Sequence, residues 1–186
     1  MSTLVINTLP ETDERVQKAL AVLEAGRENI QVIHTQGLSI KPCIGCNACW
    51  IKTPGVCAVK DDYEQILEAF MQHDTVVYMV GTAFGFMNHQ GKNVIDRILP
   101  LITMHIQIVG KEMRHVMRYD RKWKLGLLYA GEADRDYFNE WLNRFAINMV
   151  SDSIGAYPIE QAEEAHAILE RGENIGKVVL RVKNEG

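Results

Sequence analysis

No apolar run in the chain reaches the roughly 18 residues that a membrane-spanning helix needs. The opening Met1-Ser2-Thr3-Leu4-Val5 also lacks the basic and apolar regions of a signal peptide. Basic charge is not in excess: 20 Lys+Arg stand against 24 Asp+Glu, a net charge of −4, which argues against a nucleic-acid-binding surface. Repeats, linkers and low-complexity tracts are missing, and so are a Ser-His-Asp set, a Walker loop, an H-E-x-x-H helix and a Rossmann glycine fingerprint. What is present is enough apolar material for a core, 47% of 186 residues, which excludes a disordered chain. The expectation is one soluble, cytoplasmic domain over residues 1–186.

Short strand-like runs alternate with amphipathic stretches. Thr3–Asn7, Asn29–His34, Thr75–Val80, Lys124–Ala130 and Ser153–Tyr157 read as strands, the third and fourth apolar enough for the buried centre of a parallel sheet. Helical spacing places Val16, Leu20 and Leu23 on one face before Gly26. It also aligns Tyr63, Ile66, Leu67, Phe70 and Met71 behind an N-cap at Asp61 or Asp62. Further helices carry Val94, Ile95, Ile98 and Leu99 up to Pro100, then Phe138 to Met149, then Ile159–Glu170, with a weaker pattern at Ile175–Val182. Ile106–Val109 reads as a further strand, and the basic stretch Lys111–Arg121 after it as surface loop. The order implies an α/β, flavodoxin-like, doubly wound fold with a mostly parallel five-stranded sheet and helices on both faces. In such sheets ligands bind outside the carboxyl ends of the strands, which here lead into Thr8–Thr12, Thr35–Lys60, Gly81–Gln90 and Ala130–Ala133.

Cysteine is scarce and crowded. All four cysteines, Cys43, Cys46, Cys49 and Cys57, lie in the loop Thr35–Lys60 after the second strand. The C-x2-C-x2-C spacing lets thiolates converge on one small centre, and Gly45 eases the turn. Iron–sulfur clusters use such compact spacing with a fourth, more distant cysteine, whereas zinc sites use two separated pairs. Reduced thiols in a plain loop, or a redox thiol, are the other readings.

The segment Pro42-Cys43-Ile-Gly-Cys46-Asn-Ala-Cys49-Trp50-Ile-Lys52-Thr53-Pro54-Gly55-Val-Cys57, followed by Asp61-Asp62, resembles the flavodoxin-like NADPH-dependent FMN reductase family, on the branch that contains the iron–sulfur flavoproteins. The likeness continues at Thr82-Ala83-Phe84-Gly85-Phe86, at Gly91-Lys92 and at Asp96-Arg97, and spans most of residues 1–150. It implies FMN at the strand carboxyl ends, electrons drawn from NAD(P)H or a reduced carrier, and a homodimer or homotetramer. By the same likeness Thr82, Ala83, Phe84, Gly85 and Phe86 meet the flavin ring, Gly131 adds a third loop, and Cys43, Cys46, Cys49 and Cys57 are the ligands of a 4Fe–4S cluster.

One segment departs from the family. Members carry a glycine-, serine- and arginine-containing loop after the first strand whose backbone N–H groups hold the FMN phosphate. Here Thr8-Leu9-Pro10-Glu11-Thr12-Asp13-Glu14 has no glycine, three carboxylates, and a proline that removes one donor. Thr8 and Thr12 are its candidate phosphate contacts, and Thr12-Asp13-Glu14 is equally a plain helix start. Lys111, Arg114, His115, Arg118 and Tyr119 offer either a site for an anionic nicotinamide cofactor or a solvated charged face. The expected function is an FMN-dependent oxidoreductase with an unassigned catalytic residue. The alternative is a flavodoxin-like protein with a degenerate phosphate loop, serving as a non-catalytic partner or binding subunit.

Overall fold

The computed structural model describes residues 2–25 and 29–171. Its strands are β1 (Thr3–Asn7), β2 (Ile30–His34), β3 (Thr75–Ala83), β4 (Phe86–Met87), β5 (Ile102–Val109), β6 (Glu112–Met117), β7 (Lys124–Ala130) and β8 (Asp152–Pro158). Helices are α1 (Glu14–Glu24), α2 (Ala48–Ile51), α3 (Glu64–Gln72), α4 (His89–Asp96), α5 (Arg135–Asn148) and α6 (Ala162–Arg171). The main sheet runs β2-β1-β3-β7-β8, all parallel, with β3 at its centre: Val77 lies opposite Val5 on one side and Gly126 on the other. This is the doubly wound order expected of the flavodoxin-like fold.

Period-two alternation along the central strands makes two cores. Leu4, Ile6, Val76, Tyr78, Leu125 and Leu127 face a layer built on Phe70, Val94, Ile95, Phe138 and Leu142. Val5, Val77, Met79 and Leu128 face Val16, Ala19, Leu23 and Ala165 on the other side. Because both faces are covered, these strands read as unbroken apolar runs. Trp123, just before β7, is 1% exposed and donates its indole N–H to the Phe70 carbonyl at 2.9 Å.

Several boundaries differ from the sequence expectation, each for a physical reason. The cysteine loop holds one helical turn, α2, started by Asn47 at φ 54. Neither Asp61 nor Asp62 caps α3, which begins at Glu64 behind Tyr63; the Asp61 carboxylate is instead engaged with Arg97. β3 extends to Ala83 and folds back through Phe84-Gly85 into β4, so part of the expected loop Gly81–Gln90 is a hairpin. The basic stretch expected as surface loop contains β6, paired antiparallel with β5 so that Ile108 lies opposite Met113 and Ile106 opposite His115. Long-range pairing, not local pattern, makes that strand. The last helix opens with a 3-10 turn at Ile159–Gln161. Gly26 and the helical pattern at Ile175–Val182 lie outside the described residues. No helix among the described residues is long and apolar enough to cross a membrane.

Candidate functional site

The carboxyl ends of β1, β3 and β7 meet at one edge of the sheet. Here the β3–β4 hairpin turns on Phe84 and Gly85, at φ 53 and φ 76, the two-residue turn whose positive φ values suit the strand twist. Glycine adopts this conformation freely, whereas a phenylalanine there is strained. Phe84 is fully exposed, 109% relative to a free residue, and Ala83 and Gly85 beside it are exposed too. Phe86 turns the opposite way: its ring stacks on Phe138 at 5.3 Å and meets Tyr137 and Trp141 edge-on. It anchors the hairpin, while Phe84 presents it.

Close backbone approaches hold this edge together. Gly91 lets α4 lie against β3, since a Cβ there would sit 2.9 Å from Val80 Cγ1. Asn88 caps α4 by accepting the Gly91 N–H at 3.1 Å. Gly131, at φ +117, packs so closely on Thr82 that a Cβ would fall inside contact with its Oγ1. Thr82 and Gly131, 49 positions apart in sequence, are thus brought together.

The first loop lies alongside, with Leu9 Cδ2 against Gly81. The polar groups of Asn7 and Thr8, where it leaves β1, are turned inward. Thr8 is buried, and its N–H and Oγ1 both donate to the Met79 carbonyl, at 2.9 and 3.0 Å. Asn7 accepts the Leu9 N–H at 3.0 Å, while its Nδ2 donates to the Leu9 carbonyl at 3.0 Å and sits 3.0 Å from His34 Nδ1. Asp13 caps α1, taking the Arg15 N–H at 2.9 Å together with Arg15 Nε and Nη2 at 3.0 and 2.6 Å. The Arg15 guanidinium holds the Asp13 carboxyl below its ordinary range, and Asp13 places a carboxylate at the N-terminus of α1. Thr12 is exposed.

All four cysteines border one small recess, together with Arg97, Leu99 and Pro100. Cys43 and Cys46 are exposed, Cys57 is half-buried and Cys49 is buried. Burial pushes the Cys49 thiol up, and the neighbouring Cys57, Cys43 and Cys46 push it further. Among the described residues no three His, Cys, Asp or Glu side chains are arranged to hold a metal ion. The four thiols thus share one recess without converging on a metal position in this structure.

A buried ion pair, unremarked in the sequence beyond its two motifs, organises this loop. Arg97 and Asp61 side chains are 1% and 2% exposed and meet at 2.5 Å. Arg97 Nη1 also donates to the Lys41 carbonyl at 3.1 Å, and Nη2 to the Val59 carbonyl at 3.2 Å and to Cys57 Sγ at 3.4 Å. Its guanidinium lies 4.5 Å above the Tyr63 ring. Asp96, the other half of the Asp-Arg motif, pairs with Lys92 on the helix surface at 2.6 Å. From the far side Arg118 donates to the Pro100, Ile102 and Cys49 carbonyls at 2.9, 3.3 and 3.3 Å. His115 packs its ring 5.4 Å from Trp50, and Trp50 donates to the Leu99 carbonyl at 2.9 Å. Arg118 and His115 are therefore struts of the cysteine loop and not a solvated face. Nothing local in the sequence marks them as such, because their partners are remote.

No family model matches the chain. An iron–sulfur flavoprotein of Archaeoglobus fulgidus is 34% identical over 104 residues, covering 52% of this chain and 48% of that protein. The chain spans about half the length of the curated relatives it matches. Among solved structures, an NAD(P)H:quinone oxidoreductase from Methanothermobacter marburgensis superposes with a TM-score of 0.61 at 11% identity, covering 91% of this chain and 98% of the other. An FMN-dependent NADH-azoreductase from Bacillus anthracis, solved in complex with FMN, gives 0.52 at 13% identity, covering 92% and 97%. The fold is shared with these reductases, and about half of the chain is similar in sequence to iron–sulfur flavoproteins.

Proposed function

We propose that the chain is a flavin-dependent oxidoreductase that passes electrons from NAD(P)H or a reduced carrier to an acceptor. The observation that carries this reading is Phe84, an aromatic ring fully exposed on a strained hairpin turn at the ligand edge of the sheet. Exposed aromatics held in an unfavourable backbone conformation persist where function requires them. The isoalloxazine ring of FMN fits this edge: Thr82, Ala83, Phe84, Gly85 and Gly131 supply backbone, small side chains and one ring face, with Phe86 bracing them from behind. Thr8 and Thr12 stand at the phosphate end, which fits less well because the Thr8 hydroxyl is committed to Met79. When bound, the flavin supplies the redox chemistry; the chain binds it, orients it and excludes water from one face.

Replacing Phe84 by alanine removes the ring face without touching the core. It is expected to weaken FMN binding about tenfold, within the ~0.5–1.5 kcal/mol that aromatic stacking contributes. Quenching of flavin fluorescence measures it, and unchanged affinity would refute the placement of the ring.

The cysteines are proposed to hold a 4Fe–4S cluster through Cys43, Cys46, Cys49 and Cys57, supported by their common recess and by the names of the sequence relatives. Anaerobically purified protein should then contain iron and sulfide with a broad visible absorbance, and Cys46→Ser should remove it. Persistence of the absorbance in that variant would show the ligand assignment to be incorrect. A homodimer or homotetramer belongs to the same proposal, and the exposed row Met104, Ile106 and Ile108 on β5, with Met113 opposite Ile108, supports it.

The second reading, a partner or binding subunit that holds no flavin, is favoured by the acidic first loop. Failure of both FMN and riboflavin to bind selects it.

A further inference from the structure

We infer that the first loop recognises no phosphate, so that the site selects the ring of a flavin and takes riboflavin at least as readily as FMN. The inference rests on the flavin reading proposed above and names which flavin the site admits.

A phosphate-binding loop needs donors aimed outward and a positive local field. In this chain the donors nearest the sheet and the one guanidinium are already used, and the exposed Thr12 hydroxyl is flanked by carboxylates. The Thr8 N–H and hydroxyl both end on the Met79 carbonyl, and the Leu9 N–H ends on Asn7 Oδ1. Pro10 has no N–H. The Arg15 N–H ends on Asp13 Oδ1. Its guanidinium is doubly bound by the same carboxylate and lies 3.8 Å from Glu160. The one cation beside the loop is therefore already paired with Asp13 before any ligand arrives.

What the loop does present is negative. Glu11 and Glu14 are exposed on either side of Thr12, and Asp13 occupies the cap position at which a phosphate would meet α1. A phosphate monoester brings a charge of about −1.5 to −2 near neutral pH. Placed here, it would meet carboxylates and gain no free guanidinium. Recruiting Arg15 to it would require breaking the Asp13–Arg15 pair, and recruiting Thr8 would require exposing a buried hydroxyl.

The ring side of the site does not share this bias. Leu9 lies against Gly81, so the first loop still borders the platform of Phe84 and Gly131, but it borders it with an apolar side chain. A flavin with a neutral ribityl chain meets apolar contact there; a phosphorylated one carries its charge into the acidic turn.

The test titrates the full chain with riboflavin and with FMN, read by flavin fluorescence, at about 0.01 M and about 0.3 M salt, which bracket strong and weak screening. Riboflavin is expected to bind as tightly as FMN or more tightly, with any FMN deficit shrinking as salt rises. The double variant Glu11→Gln/Glu14→Gln leaves the Asp13 cap intact, and it should raise FMN affinity about threefold or more while leaving riboflavin unchanged. FMN binding tighter than riboflavin overturns the inference, and so does a double variant that loses affinity for FMN alone. Quenching of neither flavin refutes the flavin reading itself and the preference with it, a result distinct from an FMN preference.

Discussion

Replacing Arg97 by alanine is expected to destabilise the fold by about 3–5 kcal/mol, the range for removing one partner of a buried ion pair. The pair is almost wholly inaccessible, 1% and 2% exposed. The substitution leaves the Asp61 carboxylate in place without its cation, holding only the N–H groups of Lys41 and Tyr63 at 2.9 and 3.1 Å. It also frees the Lys41 and Val59 carbonyls and removes the donor to Cys57 Sγ. Arg97→Lys should recover little, because a single ammonium cannot reproduce a planar fork that serves four acceptors. Adding Asp61→Asn to the alanine variant should recover part of the loss, since it deletes the stranded charge.

Urea unfolding at equal slope measures each step; a loss below about 1 kcal/mol for the alanine variant would show the pair to be solvated. The same pair sets an acid limit. Burial alone would raise the Asp61 carboxyl, but hydrogen bonds from Arg97, Lys41 and Tyr63 outweigh it, and it stays below its ordinary range. Its stabilising contribution is therefore complete above the usual carboxylate pKa of about 3.9 and disappears only as pH falls through the lowered native value. In Arg97→Ala that support is gone, so the gap between wild type and variant should narrow on acidification.

Much of the architecture was legible in the sequence because it depends on local periodicity. Thr75–Val80 and Lys124–Ala130 read as buried strands since both of their faces are covered, and the Tyr63–Met71 face read as a helix since every third or fourth residue is apolar. The strand ends followed from the order of elements. Two things were hidden. Strand β6 breaks alternation with Arg114 and His115, and only pairing with β5 explains it. The Asp61–Arg97 bond spans 36 positions; Asp61 read locally as an N-cap candidate and Arg97 only as part of the Asp96-Arg97 motif. The same limit applies to Phe86: position in a glycine-containing loop suggested ligand contact, whereas Phe138 and Trp141, more than fifty residues away, draw it inward.

Gly131→Ala is expected to cost about 2–4 kcal/mol, combining an unfavourable φ with a local clash. The φ of +117 is one that residues with a Cβ rarely adopt, and the added methyl would meet Thr82 Oγ1 inside contact distance. These two causes separate in a double-mutant cycle. Thr82→Ala removes the colliding oxygen and leaves the backbone angle unchanged, so in that background Gly131→Ala should cost only the conformational part, about 1–3 kcal/mol. The hydroxyl's long hydrogen bond to the Ala130 carbonyl, 3.4 Å, is weak enough that Thr82→Ala alone should change stability little. Costs that add within about 0.5 kcal/mol would show that the two residues do not touch. The variant bears on function as well, because the contact it breaks is the one that brings the end of β7 against the Phe84 hairpin. Displacing Gly131 opens that edge on one side while Phe86 still fixes it on the other. Flavin affinity should therefore fall in Gly131→Ala and return with Thr82→Ala to the extent that stability returns, linking the closeness of two backbones to the shape of the ligand edge.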